Sequence, residues 1–180
     1  MNPKRIGSGY ERDVAKKLSE WMSGNSEDLV CWRTAGSGSV GTIRKKKGLA
    51  GSNIESDFQC IDSKYEEFFN LFFIDSKCYK EFNPFIINTK NIKSNSIFNQ
   101  WLKVVSDCPS NKYPIMICKI RDRQTPEFVV VSNKMKYNFT NKMEYSILIN
   151  NSFVYFTIIT LDDFLKNNEW NILLNQGVIA

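Results

Sequence analysis

The stretch NLFFIDSKCY, residues 70–79, constrains the fold more than any other part of the chain. It is aromatic and β-branched, and apolar at every position from Leu71 to Ile74. That is the pattern of a strand buried on both faces, which needs a covering layer on each side of its sheet. Asp75 and Lys77 then follow, two opposite charges two residues apart. Desolvating a lone charge is expensive, so a buried strand that ends in ionised groups must offer them partners.

The rest of the chain supplies the layers. Tyr10, Val14, Ala15, Leu18, Trp21 and Met22 recur at helical spacing within GSGYERDVAKKLSEWM. LVCWRT (29–34) and ESDFQCID (55–62) read as strands, followed by a strand over about 68–79. IFNQWLKVVSD (97–107) predicts a second helix, and YPIMICKI (113–120) and EFVVVS (127–132) two more strands. YSILIN and FVYFTIIT flank Asn150–Asn151, a hairpin signal. Thr160, with Asp163 three residues later, predicts the start of a last helix. The order helix, three strands, helix, strand, with a further hairpin and helix, is an α/β arrangement around one sheet. With 180 residues the chain fits one domain, 1–180, with a core over about 7–132 and the C-terminal hairpin plus helix over about 143–176. That hairpin can extend the sheet, build a dimer interface or cover an edge strand.

Several classes of function are excluded. The chain has no histidine, which removes Ser-His-Asp and Cys-His triads, histidine zinc sites and imidazole bases. Cys31, Cys60, Cys78, Cys108 and Cys118 are odd in number and include no CxxC pair, the usage of a reduced, cytoplasmic protein. The polar start MNPKRIGSG has no apolar segment that would direct secretion, and no apolar run approaches the roughly 20 residues of a membrane helix. Chemistry is left to carboxylates, lysine, hydroxyls or a metal held by oxygens.

The charge is unevenly placed. Between Leu29 and Ile54 lie Arg33, Arg44, Lys45, Lys46 and Lys47 with no acidic residue, and these five account for the whole formal net charge of +5. The same stretch is rich in Gly and Ser and reads as a loop. A basic loop on a neutral body suits a phosphate backbone, because each neutralised phosphate releases counterions. The alternative is an ordinary solvated loop.

Asp75 and Lys77 point to one face of their strand, roughly 7 Å apart. If the strand containing Asp57 pairs with theirs as a hairpin through SKYEEF, Asp57 lies opposite Asp75. Two carboxylates and a main-chain carbonyl make a hard oxygen site suited to Mg²⁺, and an ammonium beside it can stabilise charge on a phosphate. The plainer alternative is an exposed pair worth less than about 1 kcal/mol. Glu11 is ambiguous in the same way. It shares the apolar face of the first helix with Val14, Ala15 and Leu18, yet Ser8-x-x-Glu11 fits a capping box, the reading the local sequence favours.

Four segments in order, GYERDVAKKLSEW, CWRTAGSGS, ESDF with FFIDSKCY, and FNQWLKVV with YPIMICKIRDR, resemble the PD-(D/E)xK nuclease superfamily. Within it the resemblance is to Holliday junction resolvase-like and phage-type endonucleases, and it covers about residues 7–123. It implies a restriction-endonuclease-like αβββαβ core around one mixed sheet, with the C-terminal β-hairpin and helix appended. It further implies Asp57 and Asp75 as metal ligands, the Ser76 carbonyl as a third, and Lys77 as the lysine that positions or activates the attacking water. Glu11 would complete the site or serve a second metal, and Arg33, Ser37, Arg44, Lys45, Lys46 and Lys47 would face the phosphates. The cofactor expected is Mg²⁺, with Mn²⁺ as a substitute. The expected partner is DNA, branched DNA above all, cut by a homodimer. A non-catalytic nucleic-acid-binding protein and a duplex-DNA restriction or repair nuclease stay open as alternatives. Two departures stand out: Asp-x-Lys replaces the commoner Glu-x-Lys, and Ser56 stands where glycine is frequent.

Overall fold

A computed structural model describes residues 3–34, 56–79, 97–121, 124–133, 142–149, 152–167 and 169–171. Its elements are α1 (Pro3–Ser23), β1 (Cys31–Arg33), β2 (Phe58–Cys60), a 3₁₀ turn (Ser63–Tyr65), α2 (Glu66–Leu71), β3 (Phe72–Tyr79), α3 (Ile97–Asp107), β4 (Tyr113–Ile120), β5 (Phe128–Ser132), β6 (Met143–Ile149), β7 (Ser152–Thr160) and α4 (Leu161–Asn167).

Five strands form a mixed sheet in the order β3-β4-β5-β7-β6. β3 and β4 run parallel, with Asp75 level with Met116 and Lys77 level with Cys118. Parallel neighbours need a long crossover, and α3 lies within it. The remaining ladders are antiparallel. The hairpin predicted around Asn150–Asn151 is β6–β7, and it extends the sheet: β7 inserts between β5 and β6. Thr160 caps α4, its Oγ1 accepting from the Asp163 amide (3.1 Å) and donating to the Asp163 carboxylate (2.9 Å).

Each face of the sheet carries its own apolar layer. On one side α1 buries Tyr10, Val14, Ala15, Leu18 and Met22 over Ile74, Ile115, Ile117, Val129 and Val131. On the other, α3 sets Phe98, Trp101 and Val104 on Phe73, Met116, Val130 and Phe156. Ile74 and its neighbours Phe72 and Phe73 are therefore covered from both sides, as the opening run of apolar residues requires. Fully buried side chains of this size stabilise by about 1.5–3 kcal/mol each. One polar residue belongs to this packing. Ser19 is fully buried on α1, and its Oγ accepts from the amides of Val30 (3.1 Å) and Cys31 (3.2 Å), so the helix holds the start of β1.

Three local expectations are corrected. Residues 68–71, read as the start of a strand, belong to α2. Glu66 and Glu67 sit in its first turn, where carboxylates are favoured, and Phe68 and Phe69 are buried. Phe68 packs edge-on to Trp21 of α1 at 5.7 Å. The hairpin through SKYEEF does not form: β2 pairs antiparallel with β1 in a separate two-stranded ladder. The helical turns at 63–71 occupy the connection instead. Finally, α1 begins at Pro3, so Ser8 is interior to the helix and cannot form an N-terminal capping box with Glu11. All five cysteines are free thiols. Among the described residues no helix is long and apolar enough to cross a membrane.

Candidate active site

The two-stranded ladder reaches the edge of β3 through a short seam at Ser56 and Asp57. The Asp57 amide donates to the Ile74 carbonyl (3.1 Å), and its carbonyl accepts from the Thr34 amide (2.8 Å). Ser56 Oγ donates to the same Ile74 carbonyl (2.7 Å) and accepts from the Ile74 amide (3.2 Å) and the Phe58 amide (3.3 Å). A serine hydroxyl thus replaces part of the missing strand ladder, a local competition that short hydroxyl side chains are suited to. The seam brings the Asp57 carboxylate onto β3 one turn of the pleat further along. Its Oδ2 accepts from the Ser76 amide (2.8 Å) and approaches the Ser76 hydroxyl (3.4 Å).

Asp75 and Lys77 flank Ser76 on the same strand, and the Lys77 ammonium pairs with Asp75 Oδ1. Asp75 is 13% exposed. Burial, and then the neighbouring Asp57 charge, push its carboxyl up to about 7, against the opposing pull of Lys77. For Lys77, burial pulls the ammonium down, but Asp75 and Asp57, with a contribution from Glu11, outweigh it and the net shift is upward. Glu11 reaches the same place from α1. Its Oε2 lies 3.5 Å from Arg33 Nε. Its carboxyl is raised by burial and then by Asp57, and Arg33 and Lys77 oppose that shift. Tyr79 continues the face of Asp75 and Lys77, and its phenol is pushed up by burial first, with Asp75 among the smaller causes.

The fold therefore assembles Glu11, Arg33, Asp57, Asp75, Ser76 and Lys77 from α1, β1, the seam and β3. Ser37, Arg44, Lys45, Lys46 and Lys47 lie outside the described residues. Sequence reasoning missed the bridging role of Ser56 and the pairing of Arg33 with Glu11. The available signal for Ser56 is its hydroxyl immediately before the aspartate, where glycine is frequent.

The donor set fits a hard divalent cation. Burial raises the Asp75 carboxyl first and the neighbouring Asp57 charge adds to it, and a cation between the two carboxylates would offset both. Among the described residues no three acidic or thiol side chains gather closely enough to hold a metal on side chains alone. A pair of carboxylates supplemented by water is what Mg²⁺ accepts. Chemically, the site joins acidic oxygens to an ammonium and a guanidinium, the latter two able to meet the oxygens of a phosphate.

A family model described as "Phage putative PDDEXK endonuclease" matches residues 2–174. The matched span takes in β6, β7 and α4 as well as the elements that build the site. Comparison with curated proteins and with solved structures gives no match.

Proposed function

Because the chain belongs to the phage PDDEXK endonuclease family, we propose that it is a Mg²⁺-dependent endonuclease that hydrolyses DNA phosphodiester bonds. We further propose that branched DNA is its preferred substrate and that it cuts as a homodimer, one site per strand. The observation that carries the reading is the buried Asp75 beside Asp57, with Lys77 paired to it at the end of β3.

Asp57 and Asp75 would hold the cation, with the Ser76 carbonyl as the main-chain donor. When bound, Mg²⁺ supplies Lewis-acid neutralisation of phosphate charge and lowers the pKa of a water. Lys77 keeps its proton, since its net shift is upward, and so serves as a fixed positive donor to the charge that develops on the phosphate. Asp57 is held in orientation by the Ser76 amide, which limits the loss of alignment on substrate binding. Arg33, and the basic cluster Arg44, Lys45, Lys46 and Lys47, would bind the phosphates on either side.

The test of substrate is cleavage of an end-labelled four-way junction beside a linear duplex of matched sequence, in Mg²⁺. Paired nicks placed symmetrically in the junction, with the duplex intact, are the expected result. Cleavage of the duplex at equal or greater rate would remove the junction assignment and leave a duplex nuclease.

A further inference from the structure

Arg33 stands between two anions, one present and one expected. Its backbone is fixed at the end of β1, next to Thr34, whose amide is bonded to the Asp57 carbonyl (2.8 Å). Its side chain, 22% exposed, meets Glu11 at 3.5 Å. A charge-assisted bond in good alignment runs to about 2.7–2.9 Å, so this pair is loosely held. Immediately beyond Arg33 the chain enters the stretch that carries Arg44, Lys45, Lys46 and Lys47. A guanidinium at that place presents its planar fork to whatever anion arrives, and a phosphate can accept two parallel bonds from it.

Glu11 has the complementary position. It is close enough to Asp57 and Lys77 to feel both charges, yet among the described residues it does not gather with Asp57 and Asp75 into a three-carboxylate cluster. Its partner is Arg33 instead. We infer that Arg33 is a shared partner: it holds Glu11 until a DNA phosphate takes the guanidinium, and the freed Glu11 carboxylate then becomes an additional oxygen donor to the cation site. This rests on the nuclease reading above. It makes DNA binding and metal binding mutually reinforcing through one residue, and such coupling is reciprocal.

Two metal- and DNA-binding measurements, neither of which needs turnover, test it. The first is calorimetric titration of the protein alone with Mg²⁺. Arg33→Gln should tighten Mg²⁺ binding about fivefold when Glu11 is present and leave it unchanged in the Glu11→Gln background, as expected for a partly exposed pair. The second is fluorescence anisotropy of a labelled four-way junction in EDTA, where no cleavage occurs. Glu11→Gln should tighten metal-free DNA binding about fivefold when Arg33 is present and not in the Arg33→Gln background. Equal gains in both backgrounds would mean a general charge effect and would overturn the coupling, as would no gain in either. Mg²⁺ binding that is missing from the wild type, or unaffected by Asp57→Asn and Asp75→Asn, would overturn the nuclease reading itself and the inference with it.

Discussion

Raising the pH of the metal-free protein from 5 to 8.5 should destabilise it, and the site determines by how much. Asp75 has its carboxyl raised from 3.8 to about 7 in the folded chain. A group raised on folding contributes stability that is fully present below its unfolded value. That contribution is lost as pH rises through its folded value. Each pKa unit corresponds to about 1.4 kcal/mol, and only the roughly two units between pH 5 and the folded value fall in this window, so Asp75 alone sets a ceiling of about 3 kcal/mol on the loss. Glu11 is shifted in the same direction and adds to it. Lys77 is raised from 10.5, so its contribution is constant across this window and falls only above it. No histidine titrates in the window, and burial pushes the thiols of Cys31 and Cys118 up to about 12, above it. Urea unfolding at half-unit pH steps in EDTA measures the effect. The expected result is a fall of about 2–3 kcal/mol between pH 5 and 8.5, largely abolished by Asp75→Asn and reversed in the wild type by excess Mg²⁺. Stability that is flat or rises over this range, or an equal fall in Asp75→Asn, would refute the reasoning that two crowded carboxylates await a cation.

Three further outcomes follow from individual side chains. Ser19→Ala strips two buried amides of their acceptor and should cost about 2 kcal/mol in chemical denaturation, with the slope unchanged. Ser56→Ala removes the hydroxyl that stitches the seam to β3. It should cost about 1 kcal/mol of stability while lowering the cleavage rate more than tenfold, because the backbone that carries Asp57 loses one of its ties to β3 and the carboxylate shifts out of alignment; unchanged cleavage kinetics would rule that out. Neutralising Arg44, Lys45, Lys46 and Lys47 together should lower the magnitude of the slope of log K against log salt for metal-free DNA binding by as much as about 3.6, at roughly 0.9 for each phosphate no longer neutralised. An unchanged slope would show that the basic cluster does not touch DNA.

The parts of this fold that rest on periodicity were legible in the sequence. The apolar run before Asp75 announces a strand covered on both faces; the α1 pattern names the residues that cover one face, and IFNQWLKVVSD is legible as the helix that covers the other. The hairpin signal read in the sequence between YSILIN and FVYFTIIT matches the pairing of β6 with β7, with Ile149 opposite Ser152. What failed depends on choices that local pattern does not encode. The EEFFNL segment has apolar residues suited to either strand or helix, and packing of Phe68 under Trp21 decides for the helix. That helix in turn displaces the hairpin that would bring Asp57 opposite Asp75. The two carboxylates still meet, but through Ser56, Ile74 and Ser76 rather than through a strand ladder. Glu11 shows the limit most clearly. A capping motif and an inward-facing carboxylate are identical in sequence, and only the start of α1 at Pro3 and the pairing with Arg33 separate them.

The most direct test of the account is cleavage of labelled DNA, junction and duplex together, by wild type and Asp75→Asn in Mg²⁺ and in EDTA. The account predicts cleavage by the wild type in Mg²⁺ alone, and a loss of at least 100-fold, about 2.7 kcal/mol of transition-state stabilisation, in the variant. Full Mg²⁺-dependent cleavage by Asp75→Asn, or firm DNA binding by the wild type with no cleavage under any condition, would contradict it.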